Sequence, residues 1–121
     1  MTRAVLLLLA LLGATPAQAR PTVAVGRVID GETVVTTSGE RIRLACIDAP
    51  ERGVAGDRAA TSALRHLVEG RRVGIRRITH DRYERTIAEL FVDETNVGEE
   101  LVRRKFASIY RRYAFQCPWA R

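Results

Sequence analysis

Apolar and polar residues alternate along Thr22–Asp30 (TVAVGRVID), and the β-branched content makes this stretch a strand. Gly31-Glu32 turns the chain, and Thr33–Thr37 (TVVTT) is a second strand. Ser38-Gly39 is a hairpin signal. Arg41–Ile47 is a third strand, with Ile42, Leu44 and Cys46 on one face and Arg41, Arg43 and Ala45 on the other. Asp48–Gly56 reads as a loop. The period then changes: Ala59, Ala60, Ala63, Leu64, Leu67 and Val68 form one helical stripe behind an Asp57 N-cap, and Gly70 stops the helix. Arg71–Ile78 and Arg85–Val92 are a fourth and a fifth strand, joined by the loop Thr79–Glu84. Asn96-Val-Gly-Glu99 resembles a capping box opening a second helix, with Val97, Leu101 and Val102 apolar.

Three strands, a helix, two strands and a helix make a mainly β protein with helices. The order β-β-β-α-β-β-α is the plan of a five-stranded OB-type barrel.

Ahead of these elements, Arg3 and the apolar run Ala4–Leu12 lead to Ala17-Gln18-Ala19. This is the pattern of a signal peptide with an A-x-A cleavage site. Residues 1–19 are therefore expected to be removed on export to a periplasmic or secreted location. The remaining 102 residues form a single domain, expected to be monomeric and free of the membrane. The formal net charge is +6, and Lys105 is the only lysine among 20 cations. Arginine grips phosphate oxygens in pairs and keeps its proton, so a basic exported domain points to nucleic acid as partner. The plainer reading is a basic surface that keeps the protein soluble.

Export permits a disulfide between Cys46 and Cys117 that would close most of the mature chain. The alternative, favoured by the position of Cys117 in an ill-defined tail, is two unpaired thiols, with Cys46 an ordinary buried apolar residue.

Asp30 and Glu32 flank the first turn, and Asp48 and Glu51 flank Pro50 after the third strand. In a small meander these strand ends can meet. Carboxylates there suit a hard cation, and Arg43 and Arg85 suit a phosphate whose charge grows during cleavage. Glu51 could position or deprotonate a water. Taken singly, each acid is more often a turn former or a solvated charge, and each arginine a surface charge. His66 reads as packing or surface, and His80 as a loop residue before Asp81, with a phosphate contact as its less favoured alternative.

The order of motifs changes this balance. VIDGETV, RIRLACIDAPE, DRYERTIAEL and EELVRRKFA, running from about Val23 to Tyr113, resemble the staphylococcal nuclease-like (thermonuclease) family. The resemblance implies an OB-type barrel and calcium-dependent cleavage of DNA and RNA. It implies that Arg43 and Arg85 grip the phosphate, that Glu51 is the general base or orients the water, and that Tyr83 contacts phosphate. It also implies a calcium site made by Asp48, Glu32 and the Ala49 carbonyl. Three positions depart from the family pattern. Glu32 stands where Asp is usual, which should weaken the metal site. Glu84 and Lys105 stand where glycine is usual. The tail AFQCPWAR has no amphipathic pattern where the family has a third helix. A second class of function fits the same residues: an OB-type module that binds nucleic acid with a weakened or inactive site. A third reading is a truncated product that folds poorly.

Overall fold

The computed structural model describes residues 20–121, so the expected signal peptide lies outside the described residues. The strands are β1 (Thr22–Asp30), β2 (Thr33–Thr36), β3 (Arg41–Leu44), β4 (Ile47–Asp48), β5 (Arg72–His80), β6 (Thr86–Val92), β7 (Thr95–Asn96) and β8 (Ser108–Ile109). Helix α1 spans Asp57–Val68 and α2 spans Val97–Arg103.

The main sheet runs β3-β2-β1-β5-β6-β7, and an added parallel pairing of β3 with β6 closes it. Strands β1, β2, β3, β5 and β6 thus form the expected five-stranded barrel. Closure needs strong curvature, and β1 supplies it. Irregularities between Val25 and Arg27 and between Val28 and Asp30 bend it, so that Thr22–Ala24 pair with β5 while Val25–Asp30 pair with β2. The interior is filled by branched side chains from every wall, including Val25, Val34, Ile42, Leu44, Ile75 and Leu90.

Helix α1 covers one barrel mouth with Ala60, Leu64 and Val68, all buried. Ala59, expected on that stripe, is exposed. Asp57 is the first helical residue and not the cap. Gly56, in the left-handed region at φ 94°, is the cap, and the Asp57 carboxylate instead accepts the N–H groups of Gly53 and Arg58 at 2.8 and 2.7 Å. At α2 the expected cap holds: the Asn96 side chain accepts the Glu99 N–H at 3.1 Å.

Three further expectations are corrected. The third strand ends at Leu44 and does not reach Ile47, because Cys46 takes a left-handed conformation (φ 70°) that no strand continues. The tail is ordered. Arg111–Gln116 and Pro118–Ala120 form two 3₁₀ segments, with no third α-helix among the described residues. These segments bury Ala114, Cys117 and Ala120 against Ala45 and Cys46, with Trp119 packed alongside. Cys46 and Cys117 are joined in a disulfide with Cα atoms 6.3 Å apart, so the thiols are not free. A buried carboxylate fixes the same tail: Glu89 accepts from Arg76 Nε at 2.7 Å, Asn96 Nδ2 at 2.9 Å and Trp119 Nε1 at 2.8 Å. Three hydrogen bonds, one of them from the Arg76 guanidinium, compensate the burial of this carboxylate.

Glu40 fastens the barrel seam. It takes the Arg77 guanidinium in a fork at 2.7 and 2.9 Å and the Thr86 hydroxyl at 2.8 Å. The Arg77 fork, with the Thr86 bond, outweighs burial and holds the Glu40 carboxyl below its ordinary value of 4.5.

Two measurements test this account of the fold. The disulfide spans 71 residues, and the chain-entropy relation assigns such a loop about 4 kcal/mol. Cys117→Ser should lower the unfolding free energy by up to that amount in denaturant titration, and reductant should do the same to the wild type. Matching curves with and without reductant would show that the link contributes nothing. For Glu40 the sign is that of a depressed carboxyl: its stabilisation is present above pH 4.5 and is lost as pH falls through the lower folded value. Glu40→Gln should therefore lower stability near neutrality, by less than about 1 kcal/mol because the fork is partly solvated. The two melting curves should converge in acid. A gap independent of pH would assign the effect to packing.

Candidate active site

Gly31 decides where the first acidic turn lies. A Cβ there would sit 2.8 Å from the Ala49 Cβ and 2.8 Å from the Ala60 Cβ, so only glycine lets the β1–β2 turn press against the loop after β4 and against α1. This contact carries Asp30 and Glu32 to the rim that holds Asp48. Barrel closure brings the cations to the same rim: Arg43 pairs in register with Ile87, two residues beyond Arg85.

The outcome is one open cleft whose lining includes Glu32, Arg43, Asp48, Glu51, Tyr83 and Arg85. Six of the seven residues expected at the site therefore converge. Ala49, the seventh, is buried beneath, and its N–H points to Glu32. Asp48, Glu51 and Tyr83 are exposed, whereas Glu32, Arg43 and Arg85 are half-buried.

Each arginine is already held by an acid. Arg43 Nη2 lies 3.3 Å from Glu32 Oε1, and its Nη1 donates to the Leu44 carbonyl at 2.7 Å. Its guanidinium also lies over the Tyr110 ring, 5.6 Å from the centroid. Arg85 Nε donates to Asp81 Oδ2 at 2.7 Å, and the other Asp81 oxygen accepts the N–H groups of Tyr83 and Arg85 at 2.9 and 3.0 Å. Burial tends to raise the Asp81 carboxyl, but the Arg85 bonds and the Tyr83 N–H outweigh it and hold it low. Asp81 thus keeps its charge and orients both the turn and the cation. Within that turn Glu84 adopts φ 63°, the conformation for which glycine would be favoured. Lys105, the other residue standing in for glycine, adopts φ 67° after α2.

Glu32 is the most constrained acid of the cleft. Its Oε2 accepts the Ala49 N–H at 2.8 Å while Oε1 faces Arg43, and its own N–H is held by Asp30 Oδ1 at 2.9 Å. Burial raises its carboxyl above the ordinary 4.5. The Ala49 N–H and Arg43 counter this in part, and the charges of Asp30 and Asp48 add to the rise. Such crowding of oxygen donors is what a hard cation relieves, so the donor types fit calcium. The arrangement does not enclose one as it stands: among the described residues no three acid, histidine or cysteine side chains converge into a cation cage. Glu32 would have to turn from Ala49 and Arg43 to join Asp48.

The sequence reading missed several residues that face the cleft. His80 ends β5 and is not a loop residue, and with Asp81 and Arg82 it forms one wall. Tyr110, Arg112, Tyr113 and Gln116 form the other, carried there by the disulfide-bound tail. Asp81 had a legible signal in its four-residue spacing to Arg85. The tail had none.

Residues 41–118 match the model of the Staphylococcal nuclease homologue family. An uncharacterized endonuclease of Haemophilus influenzae is 34% identical over 92 residues, covering 73% of this chain and 52% of its own. One from Escherichia coli O157:H7 is 36% identical over 91 residues, covering 72% of this chain and 60% of its own. A micrococcal nuclease of Shigella flexneri is 32% identical over 123 aligned positions, covering 92% and 71%. The chain spans between half and three-fifths of the length of the first two. The match covers more than half of the chain, and the chain belongs to the staphylococcal nuclease homologue family.

Proposed function

We propose that the protein is a nuclease that hydrolyses phosphodiester bonds of DNA, RNA or both. The observation that carries this reading is the meeting of Arg43, Arg85 and Glu51 in one solvent-open cleft. A plain binding module has use for the arginines but none for an exposed carboxylate lining the same cleft.

In this mechanism the substrate phosphate enters between Arg43 and Arg85. Its negative oxygens compete with Glu32 and Asp81 for the guanidinium N–H groups. As a water oxygen bonds to phosphorus, charge grows on the non-bridging oxygens, and fixed N–H donors aimed there stabilise the transition state more than the ground state. Glu51 accepts the proton that the water loses, and the opposite P–O ester bond breaks with its electron pair going to the leaving oxygen. Tyr83, exposed beside Arg85, holds the strand at the cleft edge. A calcium ion held by Asp48, Glu32 and the Ala49 carbonyl would add positive charge at the same phosphate.

A second reading is a nucleic-acid-binding barrel without cleavage. It draws on the Glu32–Arg43 ion pair, which occupies both a proposed metal ligand and a proposed phosphate grip. Glu51→Gln separates the two. It keeps the size of the side chain, removes a negative charge and leaves the core untouched, so binding should be unchanged or slightly tighter. Single-turnover cleavage with calcium should fall on the order of 10²-fold or more, the usual worth of a positioned acid or base, and a chelator should abolish cleavage by the wild type. If the wild type binds but does not cut with calcium present, the binding reading replaces the nuclease.

The proposal extends to an exported enzyme processed after Ala19. The Cys46–Cys117 disulfide supports it, since such links persist in oxidising compartments. Intact mass of the periplasmic or secreted protein should correspond to a chain beginning at Arg20. A retained Met1 would refute export by this route.

A further inference from the structure

The loop Pro50–Gly53 has a groove on each side. One is the cleft described above. The other runs between this loop and the outer face of α1, and Asp30, Pro50 and Arg52 border both. The second groove carries three arginines, Arg52 from the loop and Arg58 and Arg65 from the helix. Arg58 and Arg65 are two helical turns apart on one face, about 10.5 Å at 1.5 Å per residue. Thr61 lies between them and leaves the groove open, its hydroxyl turned to the Asp57 carbonyl at 2.9 Å.

These cations differ from the pair in the cleft. Arg43 and Arg85 are half-buried and ion-paired, whereas Arg52 and Arg58 are exposed and have no ion-pair partner among the described residues. Arg65 has only the long, exposed contact to Glu69 at 3.5 Å. The two acids in the groove are turned to backbone. Asp57 accepts the Gly53 and Arg58 N–H groups, and Asp30 accepts that of Glu32. The groove therefore offers open guanidinium forks along a line that begins where the cleft ends. An extended chain with regularly spaced phosphates is the ligand whose shape and charge match it.

We propose that this groove is a second phosphate-binding track. Arg52, Arg58 and Arg65 grip the backbone of the DNA or RNA strand to one side of the phosphate held by Arg43 and Arg85. The proposal rests on the nuclease reading and adds to it a direction and a length. The strand leaves the cleft over Arg52 and continues along α1, so short substrates lose contacts that longer ones make.

The test compares a dinucleotide with a single-stranded dodecamer of the same composition by fluorescence anisotropy, at low and moderate salt. The proteins are the wild type, Arg58→Gln/Arg65→Gln and Arg58→Lys/Arg65→Lys. Both positions are exposed on a helix, and thermal melting checks that the variants stay folded. The glutamine pair should weaken dodecamer binding roughly tenfold at low salt. It should also flatten the salt slope by about 1.4, at about 0.7 per single-strand phosphate contact. Dinucleotide affinity should not follow, and the lysine pair should recover most of the loss. Equal losses for both lengths, no loss for the dodecamer, or no recovery with lysine would each overturn the track. Length-dependent binding without cleavage in calcium would keep the track and remove the nuclease. Absence of wild-type binding to either oligonucleotide would remove both.

Discussion

Three parallel residue pairs, Ile42 with Thr86, Arg43 with Ile87 and Leu44 with Ala88, join strands that the chain separates by the whole of α1 and β5. The cleft depends on this seam. Without it Arg43 would lie at the edge of a meander, far from Arg85 and from the Asp81 turn. With it the two guanidinium groups share a rim and the barrel loses its open edges. The seam is reinforced on its polar side by Glu40, which ties β5 and β6 to the entry of β3, and on its apolar side by Ile42 and Leu44 in the core.

Electrostatic pairing then decides how the cleft waits for a ligand. Here each cation has an assigned acid, Glu32 for Arg43 and Asp81 for Arg85. The two pairs are not equivalent. Asp81 is stabilised as an anion by three N–H bonds, whereas Glu32 is crowded by burial and by Asp30 and Asp48. The crowded partner is Glu32, whose Oε2 accepts the Ala49 N–H and whose Oε1 faces Arg43.

The far wall of the cleft is made by a different device. A third helix would cover a barrel through its apolar stripe. The tail instead lies down in two 3₁₀ segments, held by one covalent link and one buried carboxylate. Short segments of this kind have little intrinsic stability. Their placement therefore comes from the crosslink to Cys46, from Glu89 and from the Trp119 contact with the core. Those anchors hold Arg112 and Tyr113 at the cleft, while the pairing of β8 with β4 and the bond from the Tyr110 N–H to the Cys46 carbonyl at 2.8 Å place Tyr110.

Local pattern alone determined much of this protein. The alternation in Thr22–Asp30 predicts β1 with its observed limits, the stripe through Ala60, Leu64 and Val68 predicts α1, and Asn96 with Glu99 predicts the start of α2. Side-chain period and capping chemistry act within a few residues, so they are written in the sequence. The motif order likewise predicts which acids and arginines meet. Tertiary structure decided what depends on contacts between distant residues. The end of β3 at Leu44 follows from the turn that Cys46 makes toward the tail. The disulfide needed two Cα atoms 71 residues apart to approach within 6.3 Å, which no spacing rule encodes. The tail has neither helical nor strand period because its order comes from those long-range anchors, and the cleft wall that it forms was legible only in three dimensions.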